Sequence, residues 1–314
     1  MSFQPQILVI RQLALGDVIL STPIIEQIHH DYQGNCSIDV LTLKPEVFAN
    51  NPYVRQVYTP QTFQGISCAY DKTIQLDLAY EKQPMMHITD AYALYALGSP
   101  HRLRSKRAQL FSTMDDRIQA DWFRQTAIQD EYVIIHMRRD TWPSRNLPEE
   151  FWREVVDSLL TQTRLKVVQV GSHQEFAFAH DSRLLDLRGQ LSIHVLRELI
   201  AAAQLYVGID SGTLHIAATT DTPIISMFTS AHHALRMPLD RPARALFIPV
   251  APAVGCYGCQ SKTPPPITGV VCSQGDPYDP PCIHQMPIDR VQEAIQATFA
   301  ASGDVLPFTR KACT

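Results

Sequence analysis

The stretch Gly208-Ile-Asp-Ser-Gly-Thr-Leu-His215, running into the small residues Ile216-Ala-Ala-Thr-Thr220, decides how this 314-residue chain folds. Leu205-Tyr206-Val207 before it is a short apolar run suited to a buried strand. The segment after Gly212 suits a helix, and Pro223 closes it. The order is strand, tight turn, helix. The first N–H groups of such a helix lack backbone partners and carry partial positive charge, which attracts a phosphate or carboxylate. Asp210 and Ser211 are also good capping residues, so a capped helix with no ligand is the plain alternative.

A second motif, Arg11-Gln-Leu-Ala-Leu-Gly-Asp-Val18, has the same organisation. Ile7–Ile10 before it reads as a buried parallel strand, and Val18 to His30 carries Val18, Ile24, Ile25 and Ile28 at helical spacing. Gly16 permits a sharp turn that leaves Asp17 at the carboxyl end of the first strand. In open α/β sheets that crevice is where ligands bind. A cap on the next helix is the competing role for Asp17.

Further strands are expected at Ile38–Leu43 and Ile74–Leu78, then at Tyr132–Ile135, Lys166–Val170, Leu205–Gly208 and Pro223–Phe228. Glu149–Thr161 and His194–Ala203 read as helices between them, and a last helix is expected at about 288–300. Strand–helix alternation at this spacing gives parallel sheets covered on both faces, the α/β class. The length suits two domains, residues 1–125 and 126–314, divided at the polar stretch Gln119–Glu131. A net charge of −4 excludes nucleic acid as the main partner. No apolar run reaches the ~20 residues of a membrane span, so membrane contact is at most peripheral. The N-terminus has neither a basic nor an apolar leader region, and the expected location is the cytoplasm.

The two motifs together resemble glycosyltransferase family 9, the ADP-heptose heptosyltransferases of bacterial surface glycan assembly. A third match, Trp142-Pro-Ser-Arg-Asn-Leu-Pro-Glu-Glu-Phe-Trp152, resembles the family's donor-phosphate loop. The resemblance is specific over roughly residues 5–30 and 131–230, weak over about 31–130, and lost over 250–285. It implies the GT-B arrangement, two Rossmann-like doubly wound domains facing each other across a cleft. The first would take the acceptor and the second the nucleotide sugar.

Sugar transfer with inversion needs a carboxylate opposite the leaving group to take the acceptor's proton, and Asp17 matches the family's base. It also needs the leaving diphosphate's charge stabilised. Ser211, Gly212, Thr213 and Leu214 offer backbone N–H groups for this, and Arg145 offers a guanidinium where better-known members carry Lys. Asp210 and His215 match donor-site positions, although a buried packing histidine is a competing role for His215. Glu175, in Gly171-Ser-His-Gln-Glu175, matches an acidic position that binds the donor nucleoside. In His136-Met-Arg-Arg139, Arg138 or Arg139 faces either a phosphate or water. The basic run His101-Arg-Leu-Arg-Ser-Lys-Arg107 suits an anionic glycan, glycolipid or protein acceptor, or is a solvated face.

Cys256, Cys259, Cys272 and Cys282 cluster in a loop spanning 255–285 and resemble a structural tetrathiolate site. In the cytosol that is favoured over disulfides. The cluster resembles the cysteine finger of the autotransporter heptosyltransferases, which holds iron; ligand chemistry alone points to zinc. His284 is a substitute ligand if one cysteine stays free. No organic cofactor is expected. There is no GxGxxG after a strand and no GxxxxGK[ST], and Ser211 sits one place too late for GxSxG, which sets aside dehydrogenases, P-loop enzymes and α/β-hydrolases.

Overall fold

A computed structural model describes residues 4–64, 69–138, 142–172, 176, 178, 181–262, 272 and 274–300. Among them the chain forms two α/β domains. The first sheet has strands β1 (Gln6–Ile10), β2 (Ser37–Leu41), β3 (Gln56–Tyr58) and β4 (Lys72–Gln75) in the order β3-β2-β1-β4. The second has β5 (Tyr132–His136), β6 (Lys166–Gln169), β7 (Leu184–Asp186), β8 (Leu205–Ile209), β9 (Ile224–Met227) and β10 (Phe247–Val250) in the order β10-β9-β8-β5-β6-β7. All pairings are parallel.

The central strands are those with continuous apolar runs. Every residue of β5 and β8 is buried, as a parallel strand covered on both faces requires. The expectation missed β3, β7 and β10. Each lies at a sheet edge and is only partly buried; β3 and β7 are too short and mixed to carry an apolar run, and the run of β10 is interrupted by Pro249, which a sheet tolerates at an edge.

Around the first sheet lie helices α1 (Leu15–Ile19), α2 (Thr22–Asp31), α3 (Pro60–Phe63) and α4 (Ile88–Leu97). The helix expected from Val18 to His30 is broken in two. Ser21 Oγ and Thr22 Oγ1 donate back to the carbonyls of Val18 and Ile19 at 2.7 and 2.8 Å, and Pro23 then opens α2. Helix α5 (Met114–Phe123) is capped by a reciprocal Thr113–Asp116 pair. Around the second sheet follow α6 (Glu149–Gln162), α7 (Ile193–Ala202), α8 (Gly212–Ala218), α9 (Cys259–Lys262), α10 (Pro281–His284) and α11 (Ile288–Phe299). Trp152 of α6 is wholly buried in the second core. No helix among the described residues is long and apolar enough to cross a membrane.

In both sheets the strand order reverses beside a motif: between β1 and β4, and between β8 and β5. The crevices at these switch points face each other. The domains meet through the starts of α1 and α8. A Cβ on Gly16 would lie 2.4 Å from Cδ2 of His215, and one on Gly212 would lie 3.0 Å from Cβ of Leu15. Each glycine thus leaves room for a side chain of the opposite helix.

The basic run 101–107 is only partly solvated: His101, Arg102 and Arg104 are exposed, whereas Lys106 and Arg107 are half-buried and help to fasten the domains. Arg107 bridges to Asp221 at 2.7 Å and to the Thr219 carbonyl at 3.2 Å. Lys106 pairs with Asp90 at 2.7 Å while its backbone N–H reaches Asp240, and Arg102 pairs with Asp31. His87 adds a bond to the Met237 carbonyl at 2.9 Å, and His194 one to the Glu46 carbonyl.

Gly16→Ala should force His215 from its place and cost about 1–3 kcal/mol, as overpacking does. Chemical denaturation checks this, and a variant as stable as the parent would mean the α1–α8 contact yields easily.

Candidate active site

A cavity of about 590 Å³ opens between the two switch points and is lined from both domains. Asp17 enters from α1, with Ala14 at the helix cap held at a φ of 61°. Trp142, before the turn that carries Arg145, has a φ of 70°. Non-glycine residues rarely adopt this left-handed region, and such strain gathers where loops are held for function.

Asp17 is buried. Its Oδ2 accepts from Arg11 Nη2 at 2.7 Å and from the Tyr80 hydroxyl at 3.2 Å. Arg11 also donates to Asp77 at 2.9 Å, tying the end of β1 to the loop after β4, and its guanidinium lies 5.6 Å from the ring of Tyr80 and 5.7 Å from that of Tyr92. Burial alone would raise the Asp17 carboxyl. Arg11, Arg236 and His215 outweigh that and hold it below the ordinary carboxylate value. The carboxylate is therefore ionised at neutral pH.

Across the cavity Asp210 pairs with Arg145 at 2.7 Å. Arg145 is only 5% exposed, which rules out a solvated surface charge; its other nitrogen donates to Gln260 at 3.0 Å. Ser211 does not cap α8 with its side chain, and its hydroxyl instead meets His136 Nδ1 at 3.2 Å. Gly212, Thr213 and His215 line the cavity, as does the exposed Arg138. Leu214 does not: its side chain is wholly buried in the core, because the helix turns that face toward the sheet. Glu175 and Arg139 lie outside the described residues.

His215 is wholly buried, and burial lowers its pKa to about 4, so it is neutral at pH 7. Its Nδ1 finds no hydrogen-bond partner among the described residues.

Several members of the site carry no sequence motif. Arg236 lies 3.8 Å from both Asp17 and Asp210, with its guanidinium 5.5 Å from the Tyr80 ring centre. Glu81 lines the cavity with its carboxyl raised by burial. Arg11 stands inside the quoted motif, but its role depends on Asp77, 66 positions away.

The four clustered cysteines are free thiols. Burial, together with Cys259, Cys256 and Cys272, pushes the Cys282 thiol up to about 12, so these sulphurs share one neighbourhood. Among the described residues no group of three or more His, Cys, Asp or Glu side chains is arranged to hold a metal ion. His284 hydrogen-bonds Asp279 at 2.5 Å.

The model of glycosyltransferase family 9 (heptosyltransferase) matches residues 70–263, more than half of the chain. The chain belongs to that family. It is 26% identical over 108 residues to lipopolysaccharide heptosyltransferase 1 of Salmonella typhimurium, a match covering 33% of this chain and 34% of that protein. The chain thus spans about a third of that curated relative's length. Among solved structures, ADP-heptose lipopolysaccharide heptosyltransferase II of E. coli superposes with a TM-score of 0.71 at 15% identity, over 95% of this chain and 99% of that one. The iron-containing dodecameric glycosyltransferase TibC of enterotoxigenic E. coli gives 0.68 at 17% identity, over 96% of this chain and 78% of that one. The shared fold is GT-B.

The buried histidines set a pH dependence. Unfolded, they take a proton below about pH 6.5; folded, His215 and His87 refuse it until about pH 4. The unfolded state binds more protons across that window, so stability falls as pH drops, by about 2 kcal/mol per histidine between pH 7 and 5. His87→Gln, which keeps a donor for the Met237 carbonyl, should remove about half of this loss in denaturation curves at the two pH values. An unchanged slope would assign it elsewhere.

Proposed function

We propose that the protein is an inverting glycosyltransferase that moves a sugar from a nucleotide donor to a hydroxyl of a bacterial surface glycan, glycolipid or protein in the cytoplasm. ADP-heptose is the donor this reading favours, because the relatives matched are heptosyltransferases. One observation carries it above all: an ionised Asp17 from one domain faces the Asp210–Arg145 pair of the other across a single cavity.

In this reading the acceptor hydroxyl lies against Asp17 and gives its proton to the carboxylate as its oxygen bonds to the anomeric carbon. The bond from that carbon to the diphosphate breaks on the opposite face, and the nucleoside diphosphate leaves with the electron pair. The low proton affinity of Asp17 keeps it ready at neutral pH, at the expense of base strength, so proton transfer runs late, as the new bond forms. Arg145 and Arg138 meet the departing charge, with the backbone of Ser211–Thr213 alongside. Neutral His215 packs against Gly16 and supports Asp17 without competing for the proton. Glu175 is assigned to the donor nucleoside.

Asp17→Asn should bind ADP as the parent does in calorimetry, while transfer falls by about 10²–10⁴, the usual worth of a general base. Unchanged transfer would remove Asp17 from the role. Binding of UDP or GDP in place of ADP would keep the fold's chemistry and overturn the heptose donor.

We also infer that Cys256, Cys259, Cys272 and Cys282 hold a structural zinc or iron. Support comes from four soft donors gathered in one partly desolvated region, with burial and their mutual repulsion opposing thiolate formation until a cation arrives. The metal would pin the loop between β10 and α11 and take no part in the transfer. Metal analysis should find about one ion per chain, and Cys256→Ser should lower both metal content and melting temperature. Folding indifferent to both chelation and that substitution would remove the site.

A further inference from the structure

Arg236 differs from the other two arginines beside the reacting carboxylates. Arg11 is bonded to Asp17 at 2.7 Å and to Asp77 at 2.9 Å. Arg145 is bonded to Asp210 at 2.7 Å and to Gln260 at 3.0 Å. Arg236 lies 3.8 Å from Asp17 and 3.8 Å from Asp210, beyond hydrogen-bond distance of either. Its guanidinium lies over Tyr80 of the first domain, although its backbone belongs to the second. It is a cation between two anions, closely committed to neither.

A diphosphate entering this cavity brings fresh negative charge and paired oxygens. A guanidinium gains more from a bidentate phosphate bond than from two ion pairs at 3.8 Å. Its present close partner is Tyr80, which it hydrogen-bonds as well as stacks on, so no close bond to a carboxylate has to break for it to shift.

The groups facing Asp17 decide what that shift would do. From the end of β1 comes Arg11, from the loop after β4 come Tyr80 and Glu81, from α4 comes Tyr92, and from α8 comes His215. Arg236 completes the set from the loop after β9. Both tyrosines are held protonated by burial and His215 is held neutral, while Arg11 is doubly anchored. Of the cations, only Arg236 can change partners without breaking a close bond to a carboxylate.

We propose that the diphosphate of the donor draws Arg236 away from Asp17, so that one residue both anchors the leaving group and leaves the carboxylate a better proton acceptor only when donor is in place. This rests on the reading of the cavity as a nucleotide-sugar site and adds an order of events to it. Without donor, Asp17 is muted by two arginines. With donor, it is muted by one.

Calorimetry with ADP and AMP, in buffers of differing ionisation heat near pH 5, separates the possibilities. The parent should take up protons on binding ADP beyond the uptake of Asp17→Asn, the excess being the proton gained by Asp17. Arg236→Gln should weaken ADP about 10–100-fold, the worth of a charge-assisted bond, weaken AMP much less, and lose the excess uptake. Arg236→Lys, which keeps the charge and spares the fold, should fall between. Equal loss of ADP and AMP in both variants, or excess uptake that survives in them, would overturn the role of Arg236. A parent that binds neither nucleotide would instead overturn the nucleotide-site reading itself.

Discussion

The close approach of two helix starts governs the rest of the molecule. Gly16 yields its side-chain space to His215, and Gly212 yields its space to Leu15. Because each recess is filled from the other domain, the two α/β units meet point to point. That contact fixes the distance between Asp17 and Asp210 and makes a cavity of what would otherwise be an open groove. The transfer proposed above would depend on this spacing more than on any one side chain, since its base and its leaving-group site would have to lie on opposite sides of one carbon atom.

Charge is the second constraint. Asp17, Asp77 and Asp210 are buried or nearly so, and Arg11, Arg145 and Arg236 are distributed among them. A lone buried charge is costly, and removing one member of such a set strands its partner. The network holds Asp17 ionised and at the same time lowers its basicity. Such a core suits the anionic donor proposed above.

The parts legible in the sequence were those written locally. Apolar runs marked β1, β5 and β8, and the turns after them marked Asp17 and Asp210, because strand, turn and helix follow within a few residues. Arg145 was legible from its loop, although its pairing with Asp210 was not. The edge strands β3 and β7 escaped because a short, half-exposed strand needs no apolar run, and β10 escaped because Pro249 interrupts its run. Arg236 and Tyr80 escaped for another reason: their roles arise only when the domains meet, and neither sits in a pattern that composition or spacing distinguishes. The basic run at 101–107 shows the opposite hazard. Its charge was plain, but the Asp residues that claim it lie far away in sequence.

That run gives the molecule two kinds of fastening. At the outer edge, Arg107–Asp221 remains partly open to water, within reach of dissolved ions that screen charge over about 8–10 Å. At the centre, the arginine–carboxylate set is enclosed and hardly feels the solution. Raising ionic strength therefore loosens the rim while leaving the middle intact, and the chain behaves as a clasp whose outer grip is adjustable. How firmly the halves stay joined is then a property shared between the protein and the salt around it.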